Sequence, residues 1–351
     1  MISPHHPTLS PSELYQTLRL FIPQKLPIFI LGDPGQGKTE ITRKATVDCG
    51  ADFVPIFLAM KDPTDIGGYP SLIDGPDGKE AVFMPFGDMK KLLTAQSLTV
   101  CFADDLGISP KIMQGAWMQC VCEREINGHK ISDHVTFISA SNLKGGNSGV
   151  TSILDPLMNK HTTCVHLVNN FDDWCRWAVE DLQLPYEIVY FVRWKPDVLT
   201  SYKPMPDLAQ TPTARGIFHC AQIYKSGVPE KIRPRLFAGA IGEEYAVHLE
   251  GFLRFYKQLP NPDQVIADPQ RAPIPKEPGQ IYALCAALSQ RAKESTIDAI
   301  ITYASRLSTD PNAGAEFSVA LVCDSVRKDP QNLAQGQVFQ DWTSEHHDIL
   351  I

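Results

Sequence analysis

The sequence lacks any long hydrophobic run, and none of its 351 residues belongs to a segment near the roughly 20 apolar residues of a membrane-spanning helix. Its first residues also lack the charged stretch and apolar core of a secretory signal peptide. The apolar fraction of 43% and the charged fraction of 21% are ordinary for a globular protein. We therefore expect a soluble cytoplasmic protein without a membrane partner, long enough for about two domains.

The cysteines lack the regular spacing of a disulfide framework. There are nine of them, an odd number scattered along the chain, which favours reduced thiols and an intracellular setting. Cys120 and Cys122 lie two positions apart in a predicted helix, so their side chains point to nearly opposite faces. A metal site built from them with His129 or His134 is therefore not favoured.

Positive charge is also in short supply. The chain has 32 Lys and Arg residues against 40 Asp and Glu residues, which gives a formal net charge of -8. No stripe combines basic and aromatic residues in the way that single-stranded nucleic acid requires. We do not expect nucleic acid as a partner, although a local basic groove stays possible.

One segment carries a specific chemical signal. Residues 32–39 read Gly-Asp-Pro-Gly-Gln-Gly-Lys-Thr and match the phosphate-binding pattern G-x-x-x-x-G-K-[ST]. The apolar run 27–31 before them predicts a buried strand, and residues 38–48 after them predict a helix. The alternative is a chance glycine-rich turn, which this context and the Lys-Thr ending disfavour. The pattern predicts a site for the phosphates of a nucleotide.

Each residue type in this loop has a physical reason. Gly35 and Gly37 let backbone N–H groups curl around phosphate oxygens, and the start of a helix adds partial positive charge. Lys38 would reach the β- and γ-phosphates, and the Thr39 hydroxyl would be a ligand of Mg²⁺. The predicted nucleotide-binding residues are Gly32, Asp33, Pro34, Gly35, Gln36, Gly37, Lys38 and Thr39.

Strands alternate with helices over the first 170 residues, a pattern that predicts an α/β fold with a parallel sheet and helices on both faces. The strand candidates are 27–31, 53–58, 98–103, 134–140 and 164–168. A hairpin is predicted around Gly75–Gly78. Further on, the pattern is mostly helical. The predicted divisions are an N-terminal helix in 1–24, a nucleotide-binding core in 25–170, a helical connector in 171–210, a helical lid with C-terminal helices in 211–328 and a polar tail in 329–351.

Two acids close the third strand candidate. Asp104 and Asp105 follow an apolar run, and ligands of open α/β sheets bind beyond the carboxyl ends of the strands. Asp104 would hold Mg²⁺, directly or through water, and Asp105 would orient and polarise the attacking water. Because Asp105 is one methylene shorter than glutamate, slow hydrolysis is compatible with the sequence. The alternative is a pair of acids that only begins a loop.

A polar residue also ends the next strand candidate. Asn142 follows the run 135–141 and could hydrogen-bond the γ-phosphate or its water. Taken alone, an asparagine after a strand is usually a turn residue. Its position beside the predicted loop and the two acids is what makes it a candidate catalytic residue.

With these residues together, the chain resembles the MoxR-like branch of the AAA+ ATPases across roughly residues 10–170. Gly32–Thr39 matches Walker A, Val100–Asp105 matches Walker B and Ile138–Asn142 matches sensor 1. The segments 62–70 and 155–161 also look like loops of that branch. The resemblance implies a P-loop AAA+ core with a five-stranded sheet in the order 5-1-4-3-2, a smaller helical lid, and ATP with Mg²⁺ at the subunit interfaces of a ring, usually a hexamer.

Two positions depart from the pattern of this family. Lys160 stands where the resemblance places an arginine finger, and lysine offers a point charge where arginine offers a planar group with several donors. Either Lys160 substitutes weakly, or Arg124 takes the role, or activation across the interface is poor; Lys160 as an ordinary surface lysine is the alternative. Arg215 follows Ala214 where relatives often have proline, and it is the sensor 2 candidate.

The resemblance implies an ATPase that acts as a chaperone-like remodeller of a partner protein, often one with a von Willebrand factor A domain. One alternative is a nucleic-acid-associated motor or loader, which the negative charge disfavours. Another is a slowly hydrolysing ATP switch or scaffold, which Asp105 and Lys160 motivate. A GTPase is disfavoured because Asn159-Lys160-His161 continues with Thr162, where the guanine motif needs aspartate.

Overall fold

The structure, a computed structural model, describes residues 6–76, 78–143, 153–159, 161–202, 210–257, 259 and 261–346. The chain separates into two compact units after Asn170. Within these residues, no helix combines the length and the apolar character that crossing a membrane requires.

The first unit contains the strands and six of the helices found in the described residues. Its strands are β1 (Thr8–Leu9), β2 (Ile28–Gly32), β3 (Asp52–Phe57), β4 (Tyr69–Gly75), β5 (Gly78–Met84), β6 (Thr99–Asp104), β7 (Glu125–Ile126), β8 (His129–Lys130), β9 (Val135–Asn142) and β10 (Thr163–Leu167). Its helices are α1 (Pro11–Gln24), α2 (Lys38–Asp48), α3 (Pro63–Gly67), α4 (Gly87–Leu93), α5 (Lys111–Glu123) and α6 (Asp155–Asn159). Short 3-10 turns cover Leu58–Met60 and Leu106–Ile108.

The main sheet confirms the predicted α/β class and the order of the predicted strands. Its six strands are all parallel and lie in the order β1-β10-β2-β9-β6-β3, so the five longer ones follow the order 5-1-4-3-2. The predicted count of five is wrong by one. The extended residues Thr8 and Leu9 add a sixth strand because they pair with His166 and Leu167, whose edge would otherwise lack a backbone partner.

Each face of this sheet packs against its own apolar cluster, as a parallel sheet with helices on both sides requires. On one face, alternate residues such as Ile30 and Phe102 pack with Leu18 of α1. On the other face, Phe29 and Cys101 belong to a cluster that includes residues of α5. The strands β2, β6 and β9 are therefore buried on both sides, and their carboxyl ends are fixed relative to one another.

The second unit is helical in the residues described. Its helices are α7 (Phe171–Glu180), α8 (Tyr186–Trp194), α9 (Ala214–Lys225), α10 (Arg233–Ile241), α11 (Glu243–Lys257), α12 (Pro262–Ala267), α13 (Pro278–Gln290), α14 (Ile297–Thr309), α15 (Ala315–Val326), α16 (Pro330–Leu333) and α17 (Gln337–Glu345), with a 3-10 turn at Pro196–Leu199. Helices α7 and α8 lie in the stretch predicted as a connector. They contribute core residues such as Ile188 and Phe191, because the stretch is apolar enough to be buried.

The stretch predicted as a polar tail also contains part of this core. Trp342 of α17 is only 2% exposed, its Nε1 donates to Ser318 Oγ at 3.0 Å, and its ring stacks on His346. Val338, Phe339 and Trp342 have the spacing of one helical face, and all three pack against the core. A short apolar stripe within a polar composition explains why the sequence pattern missed this helix.

Candidate active site

The loop between β2 and α2 has the shape of a phosphate cradle. Gly35 and Gly37 adopt φ values of 77° and 88°, in the left-handed region that glycine reaches without strain. Gln36 Oε1 accepts a hydrogen bond from the backbone N–H of Asp33 at 2.9 Å, which closes the loop on itself. A Cβ on Gly32 would lie 2.5 Å from that same Gln36 oxygen. Gly35 and Gly37 are therefore the positions of this turn at which the backbone conformation itself favours glycine.

Lys38 is held at the start of α2 by oxygen atoms. Its side chain is nearly buried, and its Nζ donates to Gly32 O and Asp33 O, both at 3.0 Å, and to Asn142 Oδ1 at 2.9 Å. A buried ammonium is costly without such partners. A phosphate would be a stronger partner than neutral carbonyls because its hydrogen bonds are charge-assisted. The ammonium group of Lys38 therefore lies beside the loop, where a phosphate could bind it.

Thr39 and Asp104 provide two oxygen donors at one point. Thr39 Oγ1 donates to Asp104 Oδ2 at 2.7 Å, across 65 residues of chain. A hydroxyl and a carboxylate are ligands that Mg²⁺ accepts, together with water and phosphate oxygens. The two residues therefore fit the metal that the sequence predicts for them.

Asp105 and Asn142 complete the cluster. Asn142 accepts from Lys38 through Oδ1 and donates through Nδ2 to Asp105 Oδ1 at 3.2 Å. Asp105 adopts φ 51° and ψ 36°, a left-handed conformation that is uncommon outside glycine. Its backbone N–H donates to Asp104 Oδ1 at 3.0 Å. The structure thus brings Lys38, Asp105 and Asn142 together, as predicted for neighbouring strand ends.

The sheet register explains this convergence. Gly32 is paired with Asn142, and Phe102 with Ile138, so the carboxyl ends of β2, β9 and β6 meet at one edge. Parallel strands place their ligand sites at that edge. The side chains that follow the strands are therefore forced into one small volume.

Lys160 and Arg215 are the other predicted catalytic residues. Lys160 lies outside the described residues. Arg215 lies in the second unit, exposed on the first turn of α9, after Thr213 caps that helix by accepting from Gly216 N at 3.0 Å. Arg124, the alternative to Lys160, donates to Ser132 O at 2.7 Å and to Val135 O at 2.9 Å. These bonds to its own unit disfavour Arg124 as an arginine finger.

Sequence reasoning missed a buried network behind Asn142. Trp117 Nε1 donates to Ser139 Oγ at 2.8 Å, and Ser139 Oγ lies 2.9 Å from His161 Nε2. His161 Nδ1 lies 2.9 Å from Leu157 O, which can only accept, so Nδ1 carries the proton and Nε2 accepts from Ser139. The network ties α5 and α6 to the strand that ends in Asn142. The family resemblance covered His161, but no sequence signal indicated its partners.

A scan against protein-family models found no match, and neither did a search of curated proteins. Solved structures are similar at low identity. A RuvB mutant from Thermotoga maritima is 13% identical over 81% of this chain and 85% of that one, with a TM-score of 0.41. RuvB of that organism, described as a Holliday junction branch migration motor, is 12% identical over 79% of this chain and 80% of that one, with a TM-score of 0.40. NtrX from Brucella abortus, in complex with ATP, is 14% identical over 90% of this chain and 67% of that one, with a TM-score of 0.34. Similarity at these values carries no functional implication for this chain.

The His161 network predicts a pH-dependent stability of the first unit. Burial lowers the pKa of His161 from 6.5 to about 4. The unfolded chain therefore binds more protons between these values, and stability that is present above pH 6.5 is lost as the pH falls towards 4. From pH 7 to pH 5, the free energy of unfolding should fall by about 2 kcal/mol from this group.

Urea titrations of protein labelled with 5-fluorotryptophan, followed at the resonance of Trp117, measure this loss for the first unit. His161→Gln should remove about 2 kcal/mol of the pH dependence, whereas His134→Gln, which changes an exposed histidine of the same unit, should retain it. An equal pH dependence in His161→Gln and wild type would show that His161 is not held neutral.

Proposed function

We propose that this protein binds ATP with Mg²⁺ and hydrolyses it in an active site of the AAA+ type. The observation that supports the proposal is the convergence of Lys38, Asp105 and Asn142 beside the loop Gly32–Thr39. A lysine with a purely structural role would not require a neighbouring loop in which Gly35 and Gly37 adopt left-handed backbone conformations. The same edge of the sheet also holds Thr39 against Asp104, which suits a cation that accompanies phosphates.

Each side chain has a distinct part in the proposed reaction. Lys38 exchanges its carbonyl partners for oxygens of the β- and γ-phosphates. Asp105 orients the attacking water and accepts its proton, and Asn142 fixes that carboxylate while it remains in reach of the γ-phosphate. Thr39 and Asp104 would hold Mg²⁺, which when bound neutralises charge on the phosphate oxygens.

Substitution within the cluster should abolish turnover. Because Lys38→Ala removes the phosphate cation and Asp105→Asn removes the proton acceptor, each should lower kcat by about 100-fold or more. Phosphate release from ATP under saturating Mg²⁺ measures this. Lys90→Ala and Asp133→Asn, which change exposed residues of the same unit, are matched controls and should keep the wild-type rate. Equal rates in all five proteins would contradict the catalytic assignment.

We further propose that the active ATPase is a ring of several chains and that it remodels a partner protein. The family resemblance supports this, and so does an exposed apolar surface on the hairpin β4–β5. Large apolar side chains there and in its flank are 40–69% exposed, namely Tyr69, Leu72, Ile73, Phe83, Met84 and Phe86. The strand pairing distributes these side chains over both faces of the hairpin, and apolar exposure concentrated on one element is typical of contact with other polypeptides. The partner class that the resemblance suggests, a von Willebrand factor A domain protein, belongs to this proposal.

Assembly should depend on nucleotide. Light scattering at micromolar protein with ATP should show a closed ring, with six chains expected, because nucleotide would then bridge neighbouring subunits. Lys38→Ala should assemble less under the same conditions. A strict monomer with ATP, with ADP and without nucleotide would contradict the ring.

A slowly hydrolysing ATP switch or scaffold is the second candidate. It is favoured by Asp105, whose short side chain already accepts from Asn142 and whose backbone is held in the left-handed region. For a switch, ATP-dependent assembly would persist while phosphate release stays far slower than assembly. A motor or loader for nucleic acid has less support, and a DNA affinity that changes with ATP at matched salt would favour it.

A further inference from the structure

The helical second unit contains a cleft of about 570 Å³. It is formed by the turn between α7 and α8 together with the last residues of α9, α13 and α15. Its volume lies in the range of small-molecule sites. The charged and amide side chains that line it include Glu180, Glu187, Lys225, Gln290, Arg327 and Lys328.

Glu187 is the buried acid of this cleft, with only 9% of its surface exposed. Its Oε2 accepts from Gln290 Nε2 at 3.1 Å, and its Oε1 accepts more weakly from Tyr224 OH at 3.4 Å. Both partners are neutral, and no lysine or arginine in the described part of the chain forms an ion pair with Glu187. Burial raises the pKa of its carboxyl. A carboxylate in this position would be stabilised by a cation, and no ion pair among the described residues supplies one.

The cations of the cleft lie on other elements. Lys225 Nζ donates to Gln183 O, and Lys328 Nζ donates to Gln290 O, both at 2.7 Å. Each ammonium thereby uses one of its three donors on a carbonyl of a residue that lines the same cleft. Arg327 contributes a third positive charge, but it is already paired: Asp324 accepts from it at 3.0 Å, and Glu180, which also lines the cleft, lies 3.9 Å from its Nε. The two lysines are held beside the cleft with donors left for an anion.

We propose that this cleft binds an amino acid, with the ammonium group towards Glu187 and the carboxylate towards Lys225 and Lys328. A simple anion would lie beside the carboxylate of Glu187, and a simple cation would lie beside Lys225 and Lys328, so a zwitterion suits the charges better than either. The apolar groups of Val179 and Leu184 offer contact for its side chain. This site goes beyond the proposed ATPase and does not depend on it.

Calorimetric titration of the full chain, without nucleotide, tests the proposal with the twenty protein amino acids as probes. At least one should bind with a Kd below about 1 mM. The N-acetylated and the amidated forms of that amino acid each lose one charge-assisted interaction and should bind about tenfold more weakly or worse. If none of the twenty binds at about 10 mM, or if both blocked forms bind as well as the free amino acid, the proposal is overturned.

Variants locate the site. Glu187→Gln keeps the size of the side chain and can still bond Gln290, and Lys328→Gln removes one cation; each should weaken binding about tenfold. The matched controls Glu294→Gln and Lys231→Gln, which change exposed residues of the same unit outside the cleft, should leave the affinity unchanged. Unchanged binding in Glu187→Gln would overturn the assignment. If that variant does not fold, the blocked amino acids and Lys328→Gln decide the question.

Discussion

The proposed active site depends on the two hydrogen bonds that the side-chain amide of Asn142 makes. It accepts from Lys38, at the end of the phosphate loop, and donates to Asp105, at the end of another strand. An amide suits this position because one group can serve a cation and a carboxylate at the same time. Loss of either bond would leave a charged group with fewer partners at a largely buried edge of the sheet.

Strand β9 and the residues packed against it hold this amide in position. Strand β9 is buried on both faces, and its Ser139 is fixed by Trp117 and His161. The register of the sheet then sets Asn142 directly beside Gly32. The packed core therefore fixes the position of Asn142. The proposed catalytic side chains lie at the ends of the strands that this core holds in place.

Local chemistry made much of this predictable. The phosphate loop, helix α2 and the three strand ends follow from glycine spacing and apolar runs, and the sheet order followed from the family resemblance. The sequence could not predict features that depend on distant partners. Strand β1 has only two residues and exists because β10 offers an edge, Trp342 needs the core of the second unit, and Glu187 meets Gln290 across 103 residues. The roles of Lys160 and Arg215 stay predictions.

If the cluster around Lys38 holds the phosphates of ATP, Lys38 should account for much of the affinity for ATP. Calorimetry in Mg²⁺ should show micromolar binding to the wild type and binding at least about 100-fold weaker to Lys38→Ala, since a buried charge-assisted contact is lost. Lys90→Ala should bind as the wild type does. The same affinity in Lys38→Ala and wild type, or no binding by the wild type, would show that this cluster does not hold the phosphates of ATP.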